Sequence, residues 1–183
     1  MVYILLGEGF EEVEAVAPVD ILRRADIEAF TVSLTDHLLV RGGHGITVQA
    51  DITLNEVVFE DIEMLVLPGG GGGVESISGS AAAIDLILRV WNAGVKLAAI
   101  CAAPALLARL DILNGLTVVS HPVVYEEVKA AGGNLRSELP VVTDGNLTTG
   151  KAAGTAIDFG LELVAVLRGC EVADKMRHAI FYK

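Results

Sequence analysis

Cysteine is scarce in this chain. Two residues, Cys101 and Cys170, make no disulfide framework. Basic residues are few as well: 13 Lys and Arg stand against 24 Asp and Glu, a formal net charge of −11. Such a surface repels phosphate backbones and argues against dedicated nucleic-acid binding. No apolar run reaches the length of a membrane span. The first residues, Val-Tyr-Ile-Leu-Leu (2–6), read as a strand and not as a secretory leader, so the expected compartment is the reducing cytoplasm. Linkers, low-complexity tracts and internal repeats are absent. His37, His44 and His178 show no metal-like spacing. The glycines at 69–73 lack a following Lys-Ser/Thr, which excludes a Walker phosphate loop.

What is present is apolar and periodic. The 183 residues are 52% hydrophobic and 20% charged, enough for one domain, 1–183, with a large core. Short apolar runs alternate with helical stretches. Strands are expected at 2–6, 29–34, 64–67, 96–100 and 116–119. An edge or hairpin segment is expected at 45–50, and a hairpin around Asp144-Gly145. Helices are expected over 12–25, 81–92 after the Ser80 cap, 102–110, 124–131, 155–167 and 171–179. The glycine run reads as a loop. This alternation predicts a three-layer α/β sandwich with a mostly parallel central sheet.

Cys101 stands between the strand Lys96–Ile100 and a helix-forming run, like a nucleophile elbow. A following helix N-terminus offers free N–H groups and a positive dipole end, so a thiolate is expected there. A small buried core cysteine would fit the same junction. Other chemistry follows neighbouring strands: Glu11, Glu12 and Glu14 after the first, Pro68 and its glycines after the third, His121 after the strand at 116–119. Ligands gather at the carboxyl ends of such strands. Thiol, carboxylate, glycine loop and imidazole together are the parts of a nucleophilic site with an oxyanion hole. Pro18 removes the helical donor to the Glu14 carbonyl, and a kink there could aim Glu14 inward, while Glu11 and Glu12 look solvent-facing. All three glutamates would also suit the helix dipole. His121 also fits a half-buried histidine bonded to backbone. Cys170 reads as structural.

On these residues the sequence resembles the ThiJ/PfpI superfamily, in its DJ-one-like branch. The segments that carry the resemblance are Gly9–Ala25, Val66-Leu-Pro-Gly-Gly70, Ala98-Ala-Ile-Cys-Ala-Ala-Pro104 and Ser120-His-Pro122. The resemblance implies a flavodoxin-like fold, a homodimer, and neither metal nor organic cofactor. It assigns Cys101 as the reactive cysteine, Glu14 as its carboxyl partner and His121 as the neighbouring histidine, with Gly70 and Ala102 as oxyanion donors. The implied activity is that of a glyoxalase or deglycase on methylglyoxal and related small reactive carbonyls. Oxidative-stress sensing with a chaperone role is the alternative, and a cysteine amidase or peptidase a third. Ala102 departs from the histidine of the peptidase branch. His44 stands in place of a pocket arginine, and Lys151-Ala-Ala-Gly-Thr155 in place of Arg-Gly-Pro-Gly-Thr.

Overall fold

The computed structural model describes residues 1–183. The chain opens with strand β1 (Val2–Leu6), helix α1 (Glu12–Arg24) and β2 (Ala29–Ser33). A small antiparallel hairpin follows, β3 (Leu39–Arg41) with β4 (Thr47–Gln49), and then the edge strand β5 (Ile52–Thr53). Next come β6 (Met64–Leu67), α2 (Gly71–Ser78), α3 (Ala81–Asn92), β7 (Lys96–Ile100) and α4 (Ala103–Arg109). The second half holds β8 (Thr117–Val118), α5 (Tyr125–Ala130), β9 (Asn134–Leu135), β10 (Val141–Asp144) and β11 (Leu147–Gly150). Helices α6 (Ala156–Arg168) and α7 (Cys170–Ala179) end the chain. No helix is long and apolar enough to cross a membrane.

Seven strands form the central sheet in the order β10-β11-β7-β6-β1-β2-β5. All pairs are parallel except β10–β11, the hairpin at Asp144-Gly145. From β1 the chain moves to one side through β2 and β5, then returns to the other side at β6. The cleft outside β1 and β6 is therefore the point where strand order reverses, the usual ligand position in such sheets.

Strand pleat decides the layers, since successive side chains point to opposite faces. Tyr3, Leu5, Leu65, Leu67, Leu97 and Ala99 pack under α2–α5. Ile4, Leu6, Met64, Val66, Ala98 and Ile100 pack against α1, α6 and α7. Burial on both faces explains why these strands are continuously apolar. On α1, Ala15, Pro18, Val19 and Leu22 recur at helical spacing, and all are buried.

Two expectations are corrected. Residues 116–119 do not join the central sheet; β8 pairs only with β9 in a separate two-stranded sheet. Its apolar residues serve as a cover: Val118 belongs to the core beneath α4 and α5. The glycine run is not all loop either, because Gly71–Gly73 form the first turn of α2. Glycine is a poor helix former, but close packing requires it here. A Cβ on Gly73 would lie 2.6 Å from the Cα of Phe10.

Candidate active site

Cys101 sits between β7 and α4 with φ of +66°, a left-handed conformation rare for a non-glycine residue. The surroundings hold it there. Its amide donates to the Gly150 carbonyl of β11 (3.0 Å), and its carbonyl accepts from the His121 amide (2.8 Å). Such strain, kept in place by neighbours, is typical of functional positions. The side chain is partly exposed.

Glu14 lies on the buried face of α1, one turn before Pro18, and is 1% exposed. Glu11 caps the helix by accepting from the Glu14 amide at 2.7 Å. The helix runs on through Pro18 to Arg24. The Gly69 amide donates to Glu14 Oε2 at 3.0 Å. Oε1 is buried without a protein partner of good hydrogen-bond geometry. Burial, then the charge of Glu11, push the carboxyl up to about 7, against the opposing pull of the Cys101 thiol and the amides of Gly69 and Ala153.

The thiol is the facing group. Burial first, then the charge and closeness of the Glu14 carboxyl, push Cys101 up to about 12. The amides of Ala102 and Gly70 pull the other way. Burial and the neighbouring carboxylate thus oppose the thiolate that the elbow geometry led one to expect. The dipole of a seven-residue helix and two amides do not outweigh a desolvated sulfur beside a carboxylate. At neutral pH the pair holds its last proton, as two coupled groups do. Gly70 presents its amide from a turn with φ of +86°, where a side chain would run into the backbone of Gly9 and Glu11.

The structure thus brings Cys101, Glu14, Gly70 and Ala102 together. His121 is tied to the elbow through its backbone, while its ring Nδ1 accepts from the Val123 amide at 3.2 Å. No hydrogen bond joins the imidazole to the thiol or to Glu14. Sequence reasoning missed Gly69, Ala153 and Gly150, which act through backbone groups and carry no side-chain signature. Their signal was positional: Gly150 ends β11, and Gly69 and Ala153 lie two and three residues beyond β6 and β11.

Glu12 is not solvent-facing as expected; it is 5% exposed. Its Oε1 accepts from the amides of His44 (2.7 Å) and Ile46 (3.3 Å), and its Oε2 lies 2.8 Å from His44 Nδ1. Burial works to raise Glu12, but these bonds hold it down to about 2. His44 is pushed up by Glu12 in return. Glu11, Glu12 and His44 bring three metal-type ligand atoms within 4.8 Å of one another. Backbone amides and the imidazole already engage both Glu12 oxygens, so the group stands as an ion pair. Lys151 reaches away to the Ser137 carbonyl (2.8 Å).

Fold and elbow define the class: a flavodoxin-like α/β protein with a cysteine at a strand-to-helix turn. The chain belongs to the DJ-1/PfpI family, whose sequence model matches residues 1–166. It is 34% identical over 180 residues to Protein DJ-1alpha of Drosophila melanogaster, covering 98% of this chain and 82% of the fly protein. The solved structure of oxidized DJ-1 from Toxoplasma gondii superposes with a TM-score of 0.91 at 31% identity, covering 99% of this chain and 97% of that one. A protein of Thermococcus kodakarensis named a deglycase is 29% identical over 167 residues, covering 91% of this chain and 99% of its own.

Proposed function

We propose that this protein is a cofactor-independent glyoxalase or deglycase-type enzyme acting on methylglyoxal and related reactive carbonyls through a Cys101 hemithioacetal. The observation that carries the reading is the buried Glu14 carboxyl, raised to about 7, against a thiol that two amides also reach. The name of the archaeal relative points the same way.

No standing thiolate is needed. Ionised Glu14 takes the thiol proton as sulfur bonds to the aldehyde carbon, and returns it to the oxygen to give the hemithioacetal. The amides of Gly70 and Ala102 stabilise the oxyanion. Glu14 then removes the proton from the former aldehyde carbon and delivers it to the adjacent ketone carbon, while the hemithioacetal hydroxyl proton passes to the ketone oxygen, leaving a thioester carbonyl beside a new hydroxyl. One carbon is oxidised and its neighbour reduced within the same molecule, so no external redox partner enters. Water attacks the resulting thioester, releases a 2-hydroxy acid and restores the thiol. His121 orients the adduct through Nε2, since Nδ1 is engaged by Val123.

The test is methylglyoxal consumption and lactate formation without glutathione. Wild type should turn over. Cys101→Ser and Glu14→Gln should each lose at least about a hundredfold, the scale of a general acid–base contribution. A wild-type protein with no lactate formation overturns the reading.

Oxidative-stress sensing is the second reading. It is favoured by the part-exposed thiol beside a carboxyl able to hydrogen-bond a sulfinic acid, and by the oxidized state of the Toxoplasma relative. Mass gain confined to Cys101 under peroxide, with no carbonyl turnover, would select it. A cysteine amidase or peptidase finds no support in the hydrogen bonding of His121. We propose that the protein acts as a homodimer through α1, where Val13 and Val16 are exposed at 50% and 49%.

A further inference from the structure

A cavity lies beside the cysteine elbow, lined by Ala102 and the first turns of α2. It has about 330 Å³, near the lower end of the range for small-ligand sites. Ala102 connects the thiol to this cavity: its amide acts on the sulfur, and the residue lines the cavity. Gly71, next after the other oxyanion donor, lines it as well. A group held on the two amides therefore has this cavity as its neighbour.

Its walls are chemically mixed. Val74, Ala105 and Val123 supply apolar surface. Val123 is 76% exposed, although the fold gains nothing from leaving a valine in water. Ser78 also lines the cavity, and its hydroxyl is buried with no partner in the protein. Buried hydroxyls normally find one. At the rim, Arg109 is engaged by both carboxylate oxygens of Glu127, at 2.6 and 3.3 Å. Glu75 is exposed and forms no ion pair. Glu75 also acts on Arg109 through its charge, so two carboxylates face one guanidinium here and the net charge is negative.

We propose that this cavity is a subsite for the non-reacting end of the carbonyl substrate, favouring a short aliphatic tail that ends in a cationic, hydrogen-bond-donating group. The proposal rests on the carbonyl-enzyme reading and extends its substrate class from methylglyoxal to 2-oxoaldehydes that carry an ammonium or guanidinium tail. Val74 and Val123 take the aliphatic part, Ser78 accepts a hydrogen bond from the terminal group, and Glu75 attracts its charge. Binding of a remote tail in this way holds the aldehyde at the sulfur.

The test compares kcat/KM for methylglyoxal and for 2-oxoaldehydes whose methyl group is replaced by n-butyl or 4-ammoniobutyl. Wild type should prefer the ammoniobutyl substrate. Glu75→Lys should lower kcat/KM for that substrate about fivefold, the scale of a solvent-exposed ion pair. Methylglyoxal turnover should stay unchanged in this variant. Ser78→Ala should reduce the same preference without loss of thermal stability. Equal treatment of all three aldehydes, or equal losses on all three in the variants, overturns the subsite. Binding is read separately by amide chemical shifts on adding n-butylammonium. Shifts at Val74, Ala102 and Ala105 that need about fivefold more n-butylammonium in Glu75→Lys support the subsite even if no carbonyl is turned over. Their absence in wild type refutes it, whatever the enzyme reading's fate.

Discussion

At the scale of single residues, Glu14 is the carboxyl whose surroundings work hardest against its charge. Its ordinary value of 4.5 is raised to about 7 in the fold. A raised carboxyl binds its proton more tightly when folded, so its contribution to stability is complete below about pH 4.5 and is lost as pH rises through 7. Glu14→Gln should therefore be more stable to unfolding than wild type at pH 8, by up to about 3 kcal/mol, and match it at pH 4. Urea unfolding at the two pH values measures this. Catalysis depends on the same group with the opposite sign. Since ionised Glu14 is the proposed base, kcat/KM for methylglyoxal should climb through about pH 7 and then level. A profile that falls across that range removes Glu14 from the role of base. The partnership of Glu12 and His44 runs differently. Depression of Glu12 to about 2 makes its contribution present above 4.5 and lost only as pH falls through 2. The raised His44 contributes below its ordinary 6.5 and ceases to do so as pH rises through its folded value. The turn between β3 and β4 should exchange its amides faster in His44→Ala, read by hydrogen exchange at Gly43 and Ile46.

At the scale of elements, the packing of α2 on the loop after β1 admits no side chain. Gly73→Ala should destabilise by about 1–3 kcal/mol, as overpacking does, and chemical denaturation would show it. A neutral outcome would mean that the helix can shift off Phe10. This contact also shows where sequence reading stops. The apolar runs of β1, β6 and β7, and the helical spacing of α1, were legible because burial on two faces or one stripe leaves a periodic trace. The start of α2 was not, since glycine propensity argued for a loop and the compensating contact lies more than sixty residues away in sequence. The strand at 116–119 misled for a related reason: an apolar run tells that it is covered, not by which sheet. Around the thiol, Cys101, Glu14, Gly70 and Ala102 could be gathered from strand ends and motif resemblance. The protonation of the thiol could not be read, because it depends on how closely a carboxyl and dry surroundings approach the sulfur.

At the scale of the molecule, α1 links the site to the outer surface. One face carries Glu14 into the pocket, and the other shows Val13 and Val16 to solvent. If that face joins two copies, Val16→Glu should yield monomers in analytical ultracentrifugation, since burying an unpaired carboxylate is strongly unfavourable. An unchanged sedimentation coefficient would place the contact elsewhere. Glu14 lies between Val13 and Val16 on the same turns, so monomeric variants should also show altered reactivity of Cys101 toward a thiol reagent.

The left-handed backbone at position 101 has an evolutionary corollary. Glycine and asparagine tolerate that geometry better than cysteine does. Replacing the reactive residue by either should therefore relieve the scaffold, leaving an inert but sturdier protein. Descendants that kept such a scaffold for binding alone would be recognisable by a glycine or asparagine at the elbow.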